Sequence, residues 1–333
     1  MANFCVIGAG QWGRNHLRVM RELLGNGISV CEINKNLASG IQNSYPNMKI
    51  SSDFNEVLAD RDISAVSICT PASSHYEMAK RALDAGKDVL VEKPLTLNTG
   101  EAEELTELAE KNGRILMVGH IFRYHSAVQA LKKEIDSGLF GNINMMMASR
   151  MGLMTPRPDC GVIFDFAIHE FDTMSYLLGK MPYEVTATGL HTPDKHAYED
   201  AAFITLKFPG GTVGHVQVSW LTPIKIREIM AVGTKKTARL NYLSHDIEIY
   251  DCGIVPQYDT FGKFNLIARE GGMLTQRASI EEPLKAELSH FMECVATRKK
   301  PMTDGRCGTN AVFIAEKAVE SLKSQRSMPL KWS

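Results

Sequence analysis

Through the first third of the chain, short apolar runs alternate with amphipathic stretches, and no other feature of the sequence restricts the fold as much. Phe4 to Ile7, Ile28 to Cys31, Ala65 to Cys69, Val89 to Val91 and Ile115 to Val118 are apolar almost without interruption. A continuous run suits a strand covered on both faces, as in a parallel sheet, whereas a half-exposed strand alternates. Between these runs, Trp12 to Leu24, His75 to Ala85 and Thr99 to Asn112 carry helical spacing, and Gly25, Gly86 and Gly113 follow as stops. Strand, helix and strand in repetition predict a doubly wound α/β domain.

After about residue 140 the period changes. Ile143 to Arg150, Glu184 to Thr188, Ala202 to Phe208, Thr212 to Trp220, Arg227 to Val232 and Ala238 to Tyr242 read as strands, with "FPGGTV" as a hairpin connection. One helix interrupts them near 161–178, and helices over about 284–298 and 307–324 close the chain. The expected architecture is an N-terminal Rossmann domain with a doubly wound parallel sheet, over 1–120. A C-terminal α+β domain with a large, mostly antiparallel sheet follows over 121–333. The stretch from about Asp251 to Glu282 has weak periodicity and reads as a loop.

Three motifs carry chemistry. "CVIGAGQWGRNHLR" sets Gly8, Gly10 and Gly13 between a strand and a helix, where glycines permit a tight turn and the approach of a pyrophosphate. Glu32 ends the next strand nineteen positions after Gly13, placed for the ribose hydroxyls of an adenosine. Its charge would repel a 2′-phosphate, so NAD is favoured over NADP, a preference that Lys35 moderates. Two later strands end in Cys69-Thr70-Pro71 and Glu92-Lys93-Pro94. Ligands of open α/β sheets lie beyond the carboxyl ends of the strands, so both clusters fall on the glycine-loop rim. The cofactor set is then Gly8, Gly10, Gln11, Trp12, Gly13, Glu32, Thr70, Pro71, His75, Glu92 and Lys93. In "GVIFDFAIHEFDTMSYLLG", Ile163, Ala167, Phe171, Met174 and Leu178 form one helix face, and Asp165, His169 and Asp172 a polar stripe along another. Asp165 and His169, four apart, are neighbours on such a helix, so the carboxylate can orient the imidazole. A solvated polar face would produce the same stripe. A metal site is disfavoured, because one histidine stands without the second of an HExxH-like pair.

In this order and at these separations, "GAGQWG", "EKP" and "DFAIH" resemble the glucose–fructose oxidoreductase/inositol dehydrogenase (Gfo/Idh/MocA) family across nearly the whole chain. The resemblance implies that Lys93 is the active-site lysine and that Asp165 and His169 are an acid–base pair. Cys160 stands where the family often has a glycine before Gly161. "RMGLMTPRPDCGVIFDFAIHEFD" and "SWLTPIKIR" are similar to segments of the UDP-N-acetylglucosamine and uronate 3-dehydrogenases.

The expected function is therefore NAD-dependent oxidation of a secondary sugar hydroxyl, probed first at the 3-hydroxyl of a UDP-linked amino sugar or its uronate. His169 or Lys93 serves as base. Lys93, Arg150, Arg157, Asp165, His169, Lys225 and Arg227 are the substrate-side candidates, the arginines because a guanidinium fork suits a diphosphate or carboxylate. An inositol or free-sugar dehydrogenase, and a non-catalytic NAD-binding sensor, stand as alternatives. A formal net charge of -1 supplies no global field for nucleic acid or an anionic membrane, and no apolar run approaches a bilayer span. Cys5, Cys31, Cys69, Cys160, Cys252, Cys294 and Cys307 lack zinc or redox spacing and read as reduced thiols of a cytoplasmic protein. Apolar residues on both faces of the strands around 202–220, and the resemblance, point to a homodimer or homotetramer.

Overall fold

A computed structural model of the chain describes residues 3–192, 197–251, 253–258, 264–269 and 271–332, with the backbone alone over 254–268. Two compact units emerge, one of residues 1–124, 158–160 and 282–316, the other of residues 125–157, 161–281 and 317–333.

The first unit carries strands β1 (Asn3–Ile7), β2 (Ile28–Cys31), β3 (Lys49–Ser51), β4 (Ile63–Ile68), β5 (Asp88–Glu92) and β6 (Leu116–Gly119). Among the described residues they form one six-stranded sheet in the order β3-β2-β1-β4-β5-β6, every pairing parallel. Helices α1 (Gln11–Leu24), α2 (Lys35–Ser44), α3 (Phe54–Ala59), α4 (His75–Asp84) and α5 (Thr99–Lys111) lie between the strands. The continuous apolar runs are buried, as expected of strands covered on both faces: β1, β2, β4 and β5 are almost wholly interior. Gly25, Gly86 and Gly113 end their helices in the left-handed region. The sheet order reverses between β1 and β4, so the crevice of the fold opens where the first glycine loop and Thr70-Pro71 leave the strands.

In the second unit, α6 (Ser126–Asp136) and α7 (Ile168–Leu178) accompany a larger sheet. Its strands are β7 (Ile143–Met151), β8 (Glu184–Leu190), β9 (Ala201–Lys207), β10 (Val213–Ser219), β11 (Ile226–Gly233), β12 (Thr237–Asn241) and β13 (Asp246–Tyr250). β14 (Gly253–Tyr258) and β15 (Phe264–Arg269) pair separately, whereas β16 (Met273–Arg277) and, near the end of the chain, β17 (Met328–Pro329) join the large sheet. Its order is β16-β13-β12-β11-β7-β10-β9-β8-β17, antiparallel except for β7 beside β10. The "FPGGTV" connection is a hairpin closed by Phe208 N–H on the Thr212 carbonyl at 2.9 Å.

The loop expected over 251–282 is corrected: β14, β15 and β16 occupy much of it. β16 is an edge strand, and Met273 and Leu274, adjacent and on opposite faces, are both exposed, so burial imposes no alternation there. Two helices close the chain, α8 (Pro283–Thr297) and α9 (Gly305–Ser324). α8 packs on α1 within the first unit, where Phe291 meets Phe4 edge-on with ring centroids 5.9 Å apart. Cys252 lies outside the described residues; among the described residues the other six cysteines form no disulfide with one another. Among the described residues, no helix is long and apolar enough to cross a membrane.

Candidate active site

In the first unit the rim is built from backbone first. Gly8 N–H donates to the Cys31 carbonyl and Cys69 N–H to the Ile7 carbonyl, both at 2.8 Å, so the ends of β1, β2 and β4 are locked together. Gly8 has φ +84°, and a Cβ at Gly13 would overlap the Gly8 carbonyl oxygen; the turn and the helix behind it close only on hydrogens. At Gly10 the result is opposite: a Cβ would meet nothing within 4 Å. Gly10 is also the N-cap of α1 and offers no side-chain acceptor, so the first N–H groups of the helix face that open space. A pyrophosphate fits both features. Gln11 and the half-exposed Trp12 stand in the first turn of α1.

Glu32 is buried, and both carboxylate oxygens take backbone donors, Ala9 N–H at 2.6 Å and Asn34 N–H at 2.7 Å. It therefore shapes the glycine loop as well as facing the neighbouring hollow of about 610 Å³, whose lining includes Gly10, Glu32, Asn34, Asp53, Thr70 and Arg81. That hollow has the place and size for an adenosine. A smaller one, about 330 Å³, around Arg114, Arg298 and Lys300, lies at the opposite ends of the strands and away from the rim.

At the end of β5, Glu92 and Lys93 are both buried, and the Lys93–Pro94 bond is cis. His75, at the start of α4, is interior; its Nδ1 meets the Pro94 carbonyl at 2.7 Å and its Nε2 the Thr70 carbonyl at 2.9 Å. His75 thus ties the two strand-end turns to each other. The solvated strand end that Glu92-Lys93 would suggest in isolation is absent.

The second unit holds the remaining candidates. Residues Ile163–Ala167 form one π-helical turn that runs into α7, with Ile168 N–H donating to the Ile163 carbonyl five residues back. Such turns recur at functional sites. Asp165 sits in this turn and His169 in the first turn of α7, both buried. The polar stripe is not a solvated face, since Glu170 and Asp172 are buried as well. The Asp165 carboxylate accepts from Trp220 Nε1 at 3.2 Å and pairs with Arg157 at 3.4 Å. Arg227 stacks on Phe166 with its guanidinium 4.6 Å from the ring centroid, and Nη1 donates to the Met151 and Ile226 carbonyls. Burial, with Arg150 nearby, brings its pKa down to about 10.

Arg150 is placed differently from Arg157 and Arg227. Its guanidinium is buried against Glu170, with Nε 2.6 Å from Oε1, and Tyr242 donates to the other oxygen of Glu170 at 3.3 Å. Lys225 is exposed on the connection between β10 and β11. Lys93 belongs to the first unit, and Arg150, Arg157, Asp165, His169, Lys225 and Arg227 to the second.

Several participants escape sequence reading. Trp220 and Glu199 hold the helix that carries Asp165, and Glu199 accepts Ile163 N–H at 3.0 Å. The only hint was "SW", Ser219-Trp220, at a strand end, which is too little to assign Trp220, and nothing local marks Glu199. His16, Ser67 and Glu287 meet behind Glu92 from three separate elements, and no local spacing signals it.

Comparison with known proteins agrees with this architecture. Residues 2–120 match a family described as oxidoreductase family, NAD-binding Rossmann fold, and residues 128–239 match the GFO/IDH/MocA C-terminal domain. The chain is 30% identical over 317 residues to UDP-N-acetylglucosamine 3-dehydrogenase of Acidithiobacillus ferrooxidans, covering 93% of this chain and 94% of that one. It is 28% identical over 346 residues to scyllo-inositol 2-dehydrogenase (NAD(+)) of Bacillus subtilis, covering 98% and 95%. A solved structure of the A. ferrooxidans enzyme superposes with a TM-score of 0.82 at 26% identity, covering 97% of each chain. Levoglucosan dehydrogenase in complex with NADH and levoglucosan shares the fold, with a TM-score of 0.83 at 20% identity over 98% and 99% of the two chains.

Proposed function

The chain belongs to the Gfo/Idh/MocA family of NAD-binding oxidoreductases, and from that membership we propose a dehydrogenase that oxidises a secondary hydroxyl of a nucleotide sugar, at the 3-position of a UDP-linked amino sugar or its uronate. The coarser class, a sugar or polyol dehydrogenase, comes with the family relatives. NAD, when bound, supplies the hydride acceptor. Gly8, Gly10, Gly13 and the start of α1 would hold its pyrophosphate, and Glu32 the adenosine ribose, which favours NAD over NADP.

The observation that carries the reading is the treatment of Asp165. Its carboxylate is fixed by Trp220 and Arg157, in a buried helical turn that leads directly to His169. A binding module has no use for a buried carboxylate held in this way in the turn that leads into a buried histidine, whereas hydroxyl oxidation needs a base near neutral pH. His169 would take the hydroxyl proton, Asp165 would orient the ring, and Lys93 would hold the reacting oxygen and stabilise developing alkoxide charge. The roles of His169 and Lys93 are exchangeable in this scheme. Arg157, Arg227 and Lys225 are suited to a diphosphate or carboxylate; Arg150, held inside by Glu170, instead supports α7 from β7. The reading also takes the protein as cytoplasmic and as a homodimer or homotetramer.

A screen of NAD reduction against UDP-sugars, inositols and aldoses tests it. Turnover with a UDP-amino sugar or uronate well above the rest is the expected outcome. Preference for an inositol, the substrate named for the B. subtilis relative, would move the assignment to the free polyols. NAD binding without turnover of any of these would leave a sensor.

A further inference from the structure

Behind the strand ends of the first unit, three ionisable side chains converge from three elements: His16 on α1, Glu92 at the end of β5 and Glu287 on α8. A ring nitrogen of His16 and one oxygen of each glutamate all lie within 4.8 Å of one another. His16 Nε2 meets Glu92 Oε1 at 2.9 Å, and Nδ1 meets Ser67 Oγ at 2.8 Å. The second oxygen of Glu92 accepts the backbone N–H of Lys93 at 3.2 Å. β6 crowds this oxygen too: a Cβ at Gly119 would come within 3.1 Å of it. Glu287 is 0% exposed, and among the described residues neither of its oxygens has a hydrogen-bond partner.

Two ionised carboxylates this close and this deeply buried repel each other beyond the screening of bulk solvent, so one of them must carry a proton. The surroundings decide which. Burial, then the charge of Glu92, pushes Glu287 well above the ordinary carboxyl range, and His16 offsets this only in part. Burial acts upward on Glu92 as well, but the hydrogen bond and charge of His16, with Lys93 and His75, bring it below its usual value. Burial acts downward on His16, yet Cys69 and Glu92 raise it well above the usual imidazole value. Tyr124 adds no charge, because burial keeps its phenol protonated. The consistent state is an imidazolium, a carboxylate and a neutral acid.

We propose that Glu287 is a neutral carboxylic acid buried behind the site and that, with His16, it is a positioning residue for Lys93: together they keep Glu92 as the anion of the cluster, and Glu92 fixes the Lys93 backbone. His16 pins one oxygen of Glu92, which leaves the other for the Lys93 N–H. The acid O–H of Glu287 supplies a donor that a small side-chain rotation or one water can bring to Glu92. The positioning half rests on the role proposed above for Lys93; the charge state does not.

Thermal unfolding of the full chain and of its Glu287→Gln variant, from about pH 5 to about pH 8, tests the charge state. A carboxyl raised in the folded protein contributes stability that is present below its unfolded value of about 4.5 and is lost as pH rises toward the folded value. Glutamine has no proton to lose. The stability of Glu287→Gln relative to wild type should therefore rise with pH, by up to about tenfold in the folding equilibrium per pH unit. A difference that is flat in pH, or that falls as pH rises, would overturn the neutral acid. So would Zn²⁺ or Mn²⁺ raising the wild-type Tm but not that of the variant, which would make the cluster a cation site. Infrared difference spectra supply a check that needs no variant to fold, since the wild type should keep a protonated-carboxyl C=O stretch at about pH 8.

For the positioning half, His16→Gln should lower kcat by at least about tenfold and displace the pH–rate profile, with the NAD Kd unchanged. Glu287→Gln should restore most of the kcat that Glu287→Ala loses. Variants that lower Tm alone, with kcat and pH profile intact, would reduce both residues to scaffolding. A wild type that turns over no sugar or polyol would overturn the Lys93 reading and this half with it, while the unfolding experiment still decides the charge state.

Discussion

Both oxygens of Glu32 are engaged by backbone, at 2.6 Å to Ala9 and 2.7 Å to Asn34, so removing the carboxylate loosens the glycine loop as well as the ribose site. Hydrogen bonds to a charged group contribute about 1.5–3 kcal/mol each, so Glu32→Ala should weaken NAD binding by at least about tenfold and narrow the preference over NADP. Calorimetric titration measures both, and an unchanged NAD Kd would remove Glu32 from the site. His169 makes the complementary case. Its loss should cut turnover by about 100- to 10,000-fold, the usual contribution of a positioned acid–base group, and leave NAD affinity intact. Full turnover in His169→Ala would pass the base role to Lys93.

At the scale of elements, the π-helical turn Ile163–Ala167 depends on a close approach that only glycine allows. A Cβ at Gly161 would overlap the Glu199 carboxylate, which is buried and accepts Ile163 N–H at 3.0 Å. Gly161→Ala must displace that carboxylate and strand a buried donor, at a cost of about 1–3 kcal/mol. Because Asp165 and His169 both hang from the turn that Glu199 secures, the same change should lower kcat. A variant that matches the wild type in Tm and in kcat would sever Glu199 from the site. The sequence displayed the DxxxH spacing of this element but not its π geometry, nor its partners Glu199 and Trp220. Those contacts come from the residues just before β9 and just after β10, and no periodicity within the helix encodes them.

At the scale of the whole molecule, the large sheet buries Ala202, Ile204, Leu206, Val216 and Val218 on one face and leaves Phe203, Met145, Met147 and Val213 exposed on the other. Val213 pairs with Met145, and Met147 stands two residues along on the same face, so these three adjoin. Phe203, opposite Gln217, stands apart from them on that face, and exposed apolar residues of this kind are what association covers. Light scattering at micromolar concentration should accordingly give at least two chains; a mass of 36.9 kDa would leave a monomer. Replacing Phe203 or Met147 with aspartate should shift the mass toward one chain without loss of NAD binding. The sequence by itself determined the parallel sheet, the glycine loop, the acidic end of β2 and the two chemical motifs, because each is written in contiguous residues whose spacing matches a strand, a turn or a helix. Only the tertiary structure decided that α8 packs on α1, that Arg150 serves the interior, and that His16, Glu92 and Glu287 share one buried pocket. Charges so far apart in the chain meet through packing alone, and their protonation follows from burial, which no local pattern records.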